Sequence, residues 1–278
     1  MVGPIESVTV AVSELERHRD FFQDQFGLTP LSDGHASVGL LSAWRYPVHE
    51  SVRLTELAHG TELHGRVRLA VFEDPPADPL GARDPTDDLS ISAGPRVLDF
   101  RVGVSDWKGT PVAMRGLPML IKDPSRRRGA LGSVWVLSAD FARARRFYVE
   151  ALGYRVRHEA DVTVGAGAPC FEGFGFNPGA ALRLARLDAA KSTAGGILLV
   201  GLADRELPIR GARLGALGIN LLTCRCDDLD DLIERLSLFE IEPVAAPSHV
   251  GLPDGRPARV MVAHGPSNEA FEFIEIED

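Results

Sequence analysis

Cysteine is scarce in this 278-residue chain, with three in all, and tryptophan and tyrosine are equally rare. Three cysteines cannot build a disulfide framework. Cys224 and Cys226 sit two apart in an apolar run, which reads as two buried thiols on one strand face rather than a metal site. Long apolar runs are missing too: none approaches the ~20 residues needed to cross a bilayer, so no membrane partner is expected. The opening "MVGPIESVTV" lacks a basic region followed by an apolar one, which makes the cytoplasm the default location. Positive charge is in deficit, with 30 Lys and Arg against 39 Asp and Glu. The resulting net charge of −9 argues against nucleic acid, whose phosphates need a basic surface. Walker and nucleophile-elbow patterns are absent. "GARLGALG" has glycine spacing but not the strand-before, helix-after order of a phosphate loop, so no cofactor is expected.

What the chain does have is a repeat. "ESVTVAVSELERHRDFFQDQFG" from Glu6 returns as "GSVWVLSADFARARRFYVEALG" from Gly132, aligned without a gap at an offset of 126. Ser7/Ser133, Val8/Val134, Val10/Val136, Arg17/Arg143, Arg19/Arg145, Phe21/Phe147 and Gly27/Gly153 are identical pairs. Each copy opens with a β-rich apolar run suited to a buried strand. An acid follows, Glu14 or Asp140, where a carboxylate can meet free N–H groups at a helix start. Leu15, His18, Phe22, Phe26 and Phe141, Ala144, Tyr148, Leu152 then form apolar helical stripes. Gly27 and Gly153 stand where a left-handed residue ends the helix. A third such opening is clear in "GINLLTCRCDDLDDLIERL". A weaker one, "VLDFRVGVSDW", is followed by glycines and prolines that suit a helix poorly. The four openings begin near residues 7, 99, 133 and 221.

These stretches, together with the ending "HGPSNEAFEFIE", resemble the vicinal oxygen chelate superfamily of glyoxalases, extradiol dioxygenases and bleomycin-resistance proteins. The resemblance implies an α+β fold of βαβββ modules paired into two curved-sheet domains. The expected domains are 1–128, with a degenerate second module, and 129–278, with the cleft. Members that use metal take a ligand, usually His, at the head of a module's first strand, seven residues before the helix-opening acid, and a Glu from a last strand. Here those positions read Ser7, Asp99, Ser133, Leu221 and Glu272. The set expected in the C-terminal pair is Ser133, Leu221 and Glu272. A leucine cannot donate and a serine hydroxyl is a poor ligand, so no metal is expected.

Glu272 alternates with Ile274 and Ile276 on one strand face, where desolvation would raise its pKa toward the range of a general acid or base. His264, eight residues earlier, is the second catalytic candidate, against a reading as a turn histidine. Phe171, Phe174 and Phe176 in "CFEGFGFNPG" are either an aromatic wall for a planar ligand or core residues around a turn. His249 lies in a loop with Pro-Asp-Gly turn chemistry that could lid a cleft. Ser133 and Leu221 would line the same cleft. Three functions are compatible with this pattern. The favoured one is a metal-independent isomerase, lyase or cyclase acting on a partly hydrophobic small molecule. The second is a non-catalytic binder of the bleomycin-resistance type. The third is a metal-dependent dioxygenase or glyoxalase-like lyase with its ligands elsewhere. A homodimer is compatible with any of them.

Overall fold

The computed structural model describes residues 1–60, 64–73, 94–99, 110–114, 117–121, 131–165, 176–190, 192, 195–207, 214–215, 218–252 and 255–277. The first module runs β1 (Val2–Ala11), α1 (Leu15–Phe26), β2 (Thr29–His35), α2 (Val38–Ala43), β3 (Val52–Ala58) and β4 (Arg66–Phe72). The second gives β5 (Gly94–Asp99), β6 (Thr110–Met114) and β7 (Leu117–Ile121). The third has β8 (Ser133–Leu137), α3 (Phe141–Arg146) continuing as a π-helical turn (Phe147–Ala151), β9 (Arg155–Thr163), β10 (Ala181–Asp188) and β11 (Gly196–Leu202). The fourth has β12 (Gly218–Cys226), α4 (Leu229–Ser237), β13 (Ser248–Gly251), β14 (Pro257–His264) and β15 (Ala270–Ile276).

Local expectations and structure agree closely at the helices. Leu15, His18, Phe22 and Phe26 are the buried stripe of α1, and Gly27 ends it at φ 67°. Gly153 closes the third-module helix at φ 77°. The acids differ among themselves. Asp140 and Asp228 accept from the N–H groups of Arg143 and Asp231, both at 3.0 Å. Glu14 makes no such cap. Its longer side chain reaches Arg17 instead, at 3.7 Å.

The pairing of modules differs from the expectation. One sheet has eight strands in the order β13-β14-β15-β12-β1-β4-β3-β2, and the other has seven in the order β6-β7-β5-β8-β11-β10-β9. The first module therefore pairs with the fourth, and the second with the third. A boundary between 128 and 129 separates modules along the chain but divides the seven-stranded sheet between its two sides. The second module is joined to the third by the 11 residues 122–132 and to the first by the 21 residues 73–93, and closely connected units tend to neighbour one another in space. Once β5 has taken the edge of β8, the edge of β1 is left for β12.

The two sheets share one core. Val8, Val10, Phe22, Phe26, Val134, Val136, Tyr148, Leu222, Phe271 and Phe273 belong to a single buried cluster that includes residues of α1, α3, α4 and both sheets. The repeat is also visible in the backbone. Gly195, at φ 65°, lies against Ile5, and Gly65, at φ 74°, lies against Leu131. Ile5 and Leu131 are themselves separated by the repeat offset of 126. A Cβ on either glycine would collide with a backbone carbonyl, so both positions require glycine twice over.

Candidate functional site

The centre of the eight-stranded sheet is built by four strands. Register places Ser7 of β1 opposite Thr223 of β12 and Arg66 of β4, while Thr9 faces Leu221 and Arg68. On the far side of β12, Thr223 faces Glu272 of β15. Alternation along a strand then puts Ser7, Thr9, Arg66, Arg68, Leu221, Thr223 and Glu272 on one face. Glu272 is fully buried there. Its Oε2 accepts from Thr223 Oγ1 at 2.7 Å and from Arg68 Nη1 at 2.9 Å. Its Oε1 accepts from Trp44 Nε1 at 2.6 Å. Burial works against the Arg68 charge, but the carboxylates of Glu272, Glu56 and Glu6 outweigh it and hold the guanidinium above its usual value. A second row continues the network: Arg66 pairs with Glu56 at 3.2 Å and Glu6 at 3.4 Å, and Arg225 reaches Glu6 at 2.6 Å. The buried hydroxyls of Ser7 and Thr9 have no hydrogen-bond partner among the described residues.

Over this face lies the segment between β2 and β3. Ser37 Oγ accepts from the Leu40 N–H and starts α2. The helix ends with Arg45 N–H bonded to Ser42 O and Tyr46 N–H bonded to Leu41 O. That pair of bonds is the usual glycine stop, yet the left-handed residue is Arg45, at φ 53°. A side chain in that conformation costs about 1 kcal/mol relative to glycine. Trp44, Leu41, Ala43 and Tyr46 pack with Val250, Val260, Val262 and Ile274 in a second apolar cluster. Between this segment and the sheet is a cavity of about 270 Å³, lined by Trp44, Arg45, Tyr46, Leu214, Asn220, Leu221, Val244, Val262, His264 and Ala270. Trp44 touches both the cavity and the carboxylate of Glu272. His264 ends β14 opposite Ala270. Burial lowers its pKa below the ordinary imidazole value, outweighing hydrogen bonds to Asn268 that act the other way.

The expected site residues are thus only partly gathered. Glu272, Leu221 and His264 converge on the eight-stranded sheet. Ser133 does not: it lies on the other sheet, where its Oγ donates to Asp99 at 3.3 Å, beside Trp135 Nε1 donating to the same oxygen at 3.2 Å. The trio Ser133, Leu221 and Glu272 is therefore not one cluster, because β8 and β12 belong to different sheets. Phe176 is buried on that same second sheet among Trp135, Leu137, Leu184 and Leu207, so it is core there. Phe171 and Phe174 lie outside the described residues. His249 points away from the cavity, because its neighbour Val250 takes the inward position of β13. It is 73% exposed and pairs with Glu277 at 3.1 Å. Cys224 and Cys226 are buried thiols, as expected, and burial pushes both up to about 12. Sequence reasoning missed Thr223, Arg68 and Trp44. The alternation of Arg66 and Arg68 in "RVRLAVF" was the available signal for one of them.

Residues 130–273 match the family described as Glyoxalase/Bleomycin resistance protein/Dioxygenase superfamily. The chain belongs to that superfamily. Among solved structures, glyoxalase I from Zea mays is 13% identical with a TM-score of 0.57, covering 99% of this chain and 92% of its own. A mutant of the same maize enzyme gives 0.59 at 13% identity, with the same coverage. A candidate dioxygenase from Bacillus subtilis gives 0.53 at 10% identity, covering 100% of this chain and 86% of its own. At such identities the likeness is one of fold. No curated protein matches the chain by sequence.

The divalent metal used by many glyoxalases and dioxygenases needs several N, O or S donors at short range. The shared face of the four central strands offers the hydroxyls of Ser7, Thr9 and Thr223 and the carboxylate of Glu272, which is in contact with the Arg68 guanidinium. This donor set does not fit a divalent metal, because the cation Arg68 already neutralises the single anionic ligand. Among the described residues, no group of three or more His, Cys, Asp or Glu could hold one elsewhere.

Proposed function

We propose that the cavity of the eight-stranded sheet binds a small, mostly apolar organic molecule without a divalent metal. The observation that carries this reading is the buried Arg68–Glu272 pair, at 2.9 Å, in which an arginine occupies the last-strand carboxylate that the family resemblance marks as a ligand position. The cavity beside it has the usual build of a small-molecule site: apolar walls with few polar groups. At about 270 Å³ it is slightly smaller than the ~300–1,000 Å³ of drug-sized sites.

His264 favours a second reading, in which the bound molecule is also transformed. A wall imidazole kept neutral at pH 7 can accept a proton, the first step of isomerase- or lyase-type chemistry. Glu272 suits that role less well. Both its oxygens are engaged by donors, and it would have to release Trp44, Arg68 or Thr223 to take a proton. Its part is to anchor Trp44 over the sheet.

A calorimetric screen of small organic molecules, run with and without EDTA, tests the binding reading. Expected hits bind equally well in both conditions and are lost in Ala270→Phe, which fills the cavity from its half-buried rim. Hits that require added iron, zinc or nickel would overturn the metal-free reading.

A further inference from the structure

Arg45 occupies a backbone position made for glycine. The equivalent stop after α1 is Gly27, at φ 67°, while Arg45 holds φ 53° with a full side chain. Nothing in the turn needs that side chain, since both stop bonds are made by backbone groups. Nor is the guanidinium held by the protein: among the described residues it has no ion pair and no side-chain hydrogen bond. Arg45 is nevertheless one of the residues lining the cavity, at its exposed edge, and no Asp or Glu is among the described residues that line it with Arg45. His264, held neutral near pH 7, adds no competing charge. Among the described residues, Arg45 is therefore the one charged group lining a mostly apolar cavity, in a protein whose net charge is −9. Backbone strain accepted at a ligand-facing residue is a feature of binding sites.

We propose that the cavity selects a small carboxylate with an apolar body, and that Arg45 reads the carboxylate while Trp44, Leu221 and Val262 enclose the rest. The inference rests on the binding reading above. A guanidinium offers a planar fork that matches a carboxylate with two parallel hydrogen bonds, which an amide cannot satisfy in the same way. Selectivity should therefore follow charge rather than shape.

The test is calorimetry with matched pairs: benzoate and benzamide, phenylacetate and phenylacetamide, hexanoate and hexanamide. At least one acid is expected to bind about tenfold or more tighter than its amide, the ratio that a charge-assisted hydrogen bond supplies. In Arg45→Gly that preference should vanish while affinity for the amide persists. The same variant should melt no lower than the parent, because glycine relieves the left-handed strain. Acid and amide binding equally, both lost in Ala270→Phe, would overturn the role of Arg45 and leave the cavity as a binding site. Failure of every pair to bind, or binding unchanged in Ala270→Phe, would overturn both.

Discussion

Arg68 and Glu272 touch at 2.9 Å although β1 and β12 lie between their strands. Along a flat sheet, strands three places apart would be ~14 Å from one another. The curl of the sheet and the reach of the two long side chains together close that gap. The ion pair also ties the first module to the fourth across 204 residues of sequence.

Breaking this pair from one side should be costly. Glu272 is fully buried and the Arg68 side chain is only 15% exposed, so removing either partner strands a charge. Arg68→Met and Glu272→Gln are each expected to destabilise the protein by about 3–5 kcal/mol. The double variant should lose less than the sum of the two. Urea unfolding of all four proteins measures the coupling. Strictly additive losses would mean that the pair is not a structural unit.

Stability should also depend on pH through Glu269. This carboxyl is buried in the turn between β14 and β15, where it accepts from Tyr148 Oη at 2.6 Å and the Ser267 N–H at 2.8 Å. Burial raises it to about 7, against those hydrogen bonds, from an ordinary value of 4.5. The folded state thus holds a proton that the unfolded chain has released between those two values. Stability contributed by this proton is fully present below about pH 4.5 and is lost as pH rises through 7, by up to ~3 kcal/mol. Glu269→Gln should flatten the decline between pH 5 and 7 in a melting series. An unchanged slope in that variant would assign the dependence to other groups.

Two glycines should tolerate no side chain. Gly195→Ala and Gly65→Ala each force a Cβ against a backbone carbonyl and keep a positive φ. Losses of about 3 kcal/mol or more are expected at both. Gly179 and Gly255 have positive φ but open space around a Cβ, so alanine there should cost only ~1 kcal/mol. Chemical denaturation of the four variants compares the two classes, and equal losses would contradict the close approach between the sheets.

The legibility of this molecule in its sequence follows from the range of each interaction. Strand, helix and glycine stop repeat because alternation, helical period and left-handed backbone are set by near neighbours, as at Ser7–Gly27 and Ser133–Gly153. Pairing between modules depends on which strand edge remains free after β5 has paired with β8, so it is not written in any one segment. The site splits in the same way. Glu272 and His264 stand out as polar residues in apolar runs near one turn. Counting seven residues back from Asp228 reaches Leu221, whereas strand register brings Thr223 opposite Ser7. Trp44 and Arg68 gain their roles only from a carboxylate more than 200 residues away.

Soaking crystals with a library of small organic fragments shows whether the eight-stranded sheet carries the ligand site. Fragments are expected in the cavity bounded by Trp44, Leu221 and His264. Fragments gathered instead on the concave face of the seven-stranded sheet, beside Asp99 and Trp135, with the first cavity empty, would contradict that placement of the site.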